Sequence, residues 1–361
     1  MRIRHLILLI SLLAPQGCNK LSRPEVRFPI GMFGVTNVGE LSRLKELGFD
    51  SFQTNEKDPS LLSQLAREAQ RQGMDMVLYP DQVITSTFSQ QAMSWPVGAW
   101  LLAGAPETHK LPTDPSSKLN DALKAWSPQT RTASFSDQGP RNEQFSGTVD
   151  ALMLGWYPVP YKPMETVADE LDKTRMHLPE DKPLWAVLQA HNRADNANYT
   201  PQIKTDRFPN FNEIRFMSYL SIVHGAKGIY YFTLQKPGGR SLLDFPEEFQ
   251  SAYRVAWELK GLQPILEHGK RISLPFDVTS KDLEAMALRY RMRDYVIVLN
   301  RRKDAMLKMP DELLHRRWRP LFETRRHAKE LLTETKGAWY LGPYRALVFE
   351  SSWKLETKRT R

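Results

Sequence analysis

Leu184-Trp185-Ala186-Val187-Leu188-Gln189-Ala190, then the apolar helical pattern Asn212–His224, then Gly228-Ile229-Tyr230-Tyr231-Phe232-Thr233, is the stretch that decides the fold. Two short runs without a polar face are joined by a segment long enough for a crossover helix, which is how neighbouring strands of a buried parallel sheet read. The same alternation runs back to Val26. Further candidate strands are Phe28–Gly34, Ser51–Thr54, Asp75–Tyr79, Ala99–Ala103, Thr132–Phe135 and Ala151–Gly155, with helices at Val38–Leu47, Ser60–Gln72, Ser116–Trp126 and Met164–Met176. Leu61, Leu62, Leu65 and Ala69 form one helical stripe, and Gly48 and Gly73 supply turn signals.

Eight such strands predict a (β/α)8 TIM barrel over residues 26–265, with its functional face where the strands end. A doubly wound sheet is the rival. It would carry a Gly-rich phosphate turn after the first strand, and Gly31-Met32-Phe33-Gly34 is not one. The segment after Phe135 is too polar for a good fifth helix. From residue 266 to 353 the runs Ile272–Phe276, Leu283–Tyr290, Tyr295–Asn300, Arg319–Phe322, Ala338–Leu341 and Ala346–Phe349 lack long helices between them, which predicts a small antiparallel β-sandwich. Residues 354–361 form a charged tail.

The chain has 361 residues and a net charge of +9. From Leu266 onward there are 22 Lys and Arg against 13 Asp and Glu, so the whole excess lies in the sandwich and tail. Arg301-Arg302-Lys303, Arg316-Arg317 and Arg325-Arg326 point to anionic lipid or acidic glycan as a partner, in preference to nucleic acid. Histidines such as His109 and His191 lack ligand spacing, so no metal and no cofactor is expected.

Residues 1–18 join a basic head, Arg2 and Arg4, to the apolar run Leu6–Ala14 and end at Gly17-Cys18, the only cysteine. A run this short is a secretory signal, since a membrane span needs roughly 20 apolar residues. The segment resembles a bacterial lipoprotein signal, with Pro15 and Gln16 where Leu and a small residue are usual. That resemblance implies acylation of Cys18, a tether over residues 19–25, export and membrane anchorage, with Asn19 favouring the outer membrane.

Phe49-Asp50-Ser51-Phe52, Gly98-Ala99-Trp100-Leu101-Leu102-Ala103, Gly155-Trp156-Tyr157-Pro158-Val159-Pro160, Leu184–Ala190 and His224–Tyr231 together resemble bacterial glycoside-hydrolase-like TIM-barrel proteins. Such proteins imply a carboxyl pair at the mouth, one group donating a proton and the other acting as base or nucleophile. Where they read Asp-Glu-Pro after the fourth strand, this chain has Gly104, Ala105 and Pro106, and the seventh strand ends in Gln189 rather than a carboxylate. Glu107 is the weak candidate for a relocated acid; Glu56, Asp81, Asp137 and Asp195 are others near strand ends, while Glu213 reads as the first-turn partner of an Asn210 helix cap.

Asn55, Trp156, Tyr157, Gln189, Asn192 and Tyr231, with Gln53 nearby, are the expected sugar-contacting groups. Aromatic faces pack on sugar C–H faces, and amides read hydroxyls. The expectation is a carbohydrate-binding envelope lipoprotein with poly- or oligosaccharide partners on a disabled glycosidase frame. An active hydrolase with relocated carboxylates and a ligand-free scaffold are the alternatives.

Overall fold

The computed structural model describes residues 27–80, 83, 86–104, 113–127, 130–136, 145–193, 206–235, 240–278 and 280–351. Eight strands close a parallel barrel in chain order: β1 Ile30–Met32, β2 Ser51–Gln53, β3 Asp75–Leu78, β4 Val97–Gly104, β5 Thr132–Ser136, β6 Ala151–Trp156, β7 Leu184–Gln189 and β8 Ile229–Phe232. Closure comes from β1 pairing with β8, with Gly31 opposite Tyr230. The principal helices are α1 Glu40–Glu46, α2 Pro59–Gln72, α3 Thr113–Trp126, α4 Thr166–Met176, α5 Phe211–Val223 and α6 Pro246–His268. Among the described residues no helix of any length separates β5 from β6 beyond a short turn at Phe145.

Local chemistry sets these boundaries. Asp58 accepts the Ser60 N–H, Pro59 opens α2, and Gly73 closes it in the left-handed conformation at φ 61°. Asn210 and Glu213 form a reciprocal capping box on α5. Strand parity then sorts the side chains. Val77, Ala99, Leu101, Ala133, Met153, Trp185, Val187 and Tyr230 fill the barrel, whereas Ile30, Phe52, Leu152, Leu188 and Tyr231 join the layer between strands and helices. Tyr230 is fully buried, and its hydroxyl meets Ser51 Oγ at 2.9 Å. A Cβ at Gly31 would lie 2.1 Å from its ring, so the glycine makes room for the tyrosine.

After α6 come two antiparallel sheets. The larger runs β13 (Trp318–Pro320), β16 (Ala346–Ser351), β11 (Arg293–Asn300), β10 (Leu283–Tyr290) and β9 (Lys270–Ile272); the smaller joins β12 (Leu307–Lys308), β15 (Ala338–Leu341) and β14 (Leu332–Thr335). Leu283, Val296, Val298, Leu347 and Phe349 pack with Leu332 and Leu341 of the smaller sheet. The opposite face of the larger sheet, through Met286, Leu288, Ile297, Leu299 and Val348, joins the barrel's helix layer. That double burial explains why Val296-Ile297-Val298-Leu299 is apolar without alternation.

Ion pairs fix the seam. Arg215 on α5 donates through Nε to Glu258 on α6 and through a terminal nitrogen to Glu323 and the Ala346 carbonyl, all at 2.8 Å. Tyr219 donates to the same Glu258 at 2.9 Å. Burial pulls the Arg215 guanidinium down, but the neighbouring carboxylates and Tyr219 more than offset this.

Candidate functional site

The C-terminal ends of the strands carry an aromatic cluster. Phe33, Phe135 and Phe232 meet with ring centroids 5.1–6.4 Å apart. Phe33 and Phe135 are buried and close the barrel interior, while Phe232 is only partly buried. Above them Tyr157 stacks on Phe232 at 5.4 Å, and His191 meets both rings edge-on at 5.1 and 5.5 Å. His191 Nδ1 lies 2.9 Å from the Phe232 carbonyl oxygen, which fixes the imidazole plane.

Gln189 ends β7 facing inward and is fully buried. Its Oε1 accepts the Val159 N–H at 3.0 Å, and its Nε2 donates to the carbonyls of Val159 at 2.9 Å and His191 at 3.1 Å. The side chain therefore acts as a backbone clamp on the loop after β6, where the Val159–Pro160 peptide is cis. Both amide atoms are committed to protein backbone groups. Gln53 is spent similarly, accepting the Gly34 N–H and donating to Thr54 and the exposed Asn55.

The other sequence-derived residues divide. Tyr157 and Asn192 lie at the mouth; Asn192 donates to the Asp206 carbonyl at 3.4 Å, and Arg193 to the Tyr157 carbonyl at 3.0 Å. Trp156 turns toward the helix layer, where its indole N–H donates to Thr166 at 2.8 Å and the Lys162 ammonium sits 3.9 Å from the ring centroid. Tyr231 is completely buried against Phe49, with its hydroxyl 2.9 Å from Ser218 Oγ, so it faces α5 and not the mouth. Cys18, Asp81, Ala105, Pro106, Glu107, His109, Asp137 and Asp195 lie outside the described residues.

Two of the described carboxylates at this face have structural tasks. Glu56 accepts the N–H groups of Lys57 and Asp58, and Glu213 serves the α5 cap and pairs with Arg207. Two groups not singled out in the sequence stand out. Glu40, at the start of α1, accepts from Gln235 at 3.2 Å through one oxygen, while its other oxygen is buried without a hydrogen bond. Burial pushes this carboxyl above the usual range, against a smaller lowering by the Asn37 backbone. Asp206, after β7, takes the Tyr161 hydroxyl on one oxygen. Nothing near Glu40 in sequence marks it, because Gln235 follows β8, which neighbours β1 in the closed barrel but lies 195 residues away along the chain. Among the described residues no three His, Cys, Asp or Glu side chains group as a metal site.

The basic C-terminal runs are partly internal. Arg301 pairs with Glu284 at 2.7 Å and Asp169 at 2.9 Å, and Arg302 with Asp304 at 3.1 Å. Arg319 and Arg293 both meet Glu350. Arg316 and Arg317 are exposed.

No family profile matches the chain. No curated relative matches it in sequence either. Solved structures do match in fold. An α-amylase from Geobacillus thermoleovorans complexed with acarbose superposes with a TM-score of 0.54 at 13% identity, over 90% of this chain and 98% of that one. A protein described as a glycoside hydrolase gives 0.59 at 14% identity, covering 90% and 92%. A glycoside hydrolase family 5 protein from Bacteroides vulgatus gives 0.58 at 13% identity, covering 90% and 89%. These likenesses show the fold alone, a closed eight-stranded (β/α)8 barrel shared with glycoside hydrolases of solved structure.

Proposed function

We propose that this protein binds oligo- or polysaccharide at the C-terminal mouth of a glycosidase-like barrel without hydrolysing it. The observation that carries this reading is Gln189: at the end of β7, where retaining barrels of this kind carry the nucleophile, stands an amide whose oxygen and nitrogen are both engaged by backbone. Tyr157, Phe232 and His191 supply aromatic surface above the closed interior, and Asn55 and Asn192 supply amides at its edge. Acarbose and maltotriose bound to structural neighbours support a saccharide as ligand. A glycan array with the intact protein tests this; an array without a saturable saccharide signal would leave a scaffold as the better reading.

The second reading, a hydrolase with relocated carboxylates, draws on Glu40, whose burial favours the protonated state a general acid needs. Glu107 remains its sequence-derived alternative.

In this proposal the chain is exported and held by acyl groups on Cys18, with the outer membrane as destination. No helix among the described residues is long and apolar enough to cross a membrane. Cys18→Ser should move the protein from the membrane fraction to the soluble fraction. A variant that still sediments with membranes, together with a native protein carrying no acyl mass, would remove the anchor. Arg316 and Arg317 lie exposed in the basic domain that would meet an anionic lipid or acidic glycan.

A further inference from the structure

We propose that His224 is a pH-sensitive latch between the barrel and the C-terminal sandwich, closed when the imidazole is protonated. His224 caps the end of α5. Its Nδ1 lies 2.8 and 2.9 Å from the two oxygens of Asp172 on α4, and its Nε2 lies 2.8 Å from Glu284 on β10. A neutral imidazole has one donor and one acceptor, so only the imidazolium donates to carboxylates on both sides. Burial pulls the ring down, but hydrogen bonds to Glu284 and Asp172, and their charges, hold it above the ordinary histidine range. Asp172 is 56% exposed and screened by solvent, whereas Glu284 is 16% exposed, so the Glu284 contact carries the larger share.

The latch sits in a row of contacts that grip one helix. Glu165, the N-cap of α4, and Asp169 and Asp172 within it follow the four- and three-residue spacing of neighbours on one helical face. Tyr344 donates to Glu165 at 2.5 Å, Arg301 bridges Asp169 and Glu284, and His224 bridges Asp172 and Glu284. Arg301 keeps its charge throughout the accessible pH range, and although burial pulls the Glu284 carboxyl up, its contacts with His224 and Arg301 hold it below the usual carboxylate range. His224 is the member that changes at mild pH. Its raised value gives a fixed sign: the stabilising contribution is complete below about pH 6.5 and is lost as pH rises through the folded-state value. The neutral ring then faces one carboxylate with a lone pair. Loosening α4 reaches the loop after β6, because Thr166 at its start holds the Trp156 indole. The latch itself does not depend on the saccharide reading.

Hydrogen exchange of the whole protein tests it, corrected for intrinsic rates and followed in peptides covering 166–176 and 283–290. Protection should fall about tenfold between about pH 6 and pH 9, the scale of one charge-assisted hydrogen bond. In His224→Gln it should be lower and flat with pH. An NMR titration of the wild-type imidazole needs no variant and should place its midpoint above 6.5. Protection that is equal at the two pH values, a pH dependence unchanged in His224→Gln, or a midpoint at or below 6.5 would each overturn the latch.

Discussion

Arg215→Met should lower the free energy of unfolding by about 3–5 kcal/mol, the cost of leaving buried charges without their partner. Arg215 is 4% exposed and Glu258 is 6% exposed. Glu323 is likewise buried, and desolvation already raises its carboxyl pKa, with Arg215 the main opposing influence. Without the guanidinium, two carboxylates face each other across the seam, and the Ala346 carbonyl loses its donor. Urea unfolding monitored by tryptophan fluorescence gives the change. Adding Glu258→Gln and Glu323→Gln to Arg215→Met should recover much of the loss, because it removes the stranded charges. A loss below about 1 kcal/mol in the single variant would place the network among exposed ion pairs, which contribute that little.

Gln189→Glu should also be severely destabilising, although only one atom type changes. The Nε2 seat faces two carbonyl oxygens, from Val159 and His191, and requires a donor. An ionised carboxylate there is a buried charge opposite two acceptors, expected to cost about 3 kcal/mol or more unless the group takes up a proton. The folded-state carboxyl is therefore raised. The penalty should be small below about pH 4.3 and grow as pH rises, until the folded-state value is passed. Denaturation series at acid and neutral pH check this. Equal stability of wild type and variant at neutral pH would mean that the clamp does not hold the loop. The same seat explains why restoring a carboxylate at this position alone would not rebuild a nucleophile.

The barrel was legible because its strands are buried on both faces and its helices are striped, so two periodicities alternate along the chain. The β4, β6, β7 and β8 segments differ from their expected runs by only a few residues at the ends. In the sandwich, β12 and β14 carry no sequence signal for a physical reason. Leu307–Lys308 is two residues long, and of Leu332–Thr335 only Leu332 is buried, leaving no alternation to read.

The site was less legible, since strand parity and partner choice decide it. Tyr230 and Tyr231 are adjacent, so one points into the barrel and the other toward α5, and it is Phe232 that reaches the mouth. Trp156 follows from the same parity: with Met153 inward, Trp156 must face outward. That signal was present in the sequence. The commitment of Gln189 to Val159 was not, because it joins residues 30 apart through a loop. Asp206 and Glu40 were hidden likewise, their partners Tyr161 and Gln235 being distant in sequence.

The most direct test is an NMR titration of the protein with an oligosaccharide selected from the array, in which chemical shifts report binding and anomeric signals report bond cleavage. Saturable shifts around Tyr157 and Asn192 are predicted, with an affinity of about micromolar to millimolar and no new reducing ends above background. Tyr157→Ala should weaken binding about tenfold, the scale of a lost aromatic stacking contact. Cleavage well above background that disappears in Glu40→Gln or Glu107→Gln would contradict the account and make that residue the relocated acid.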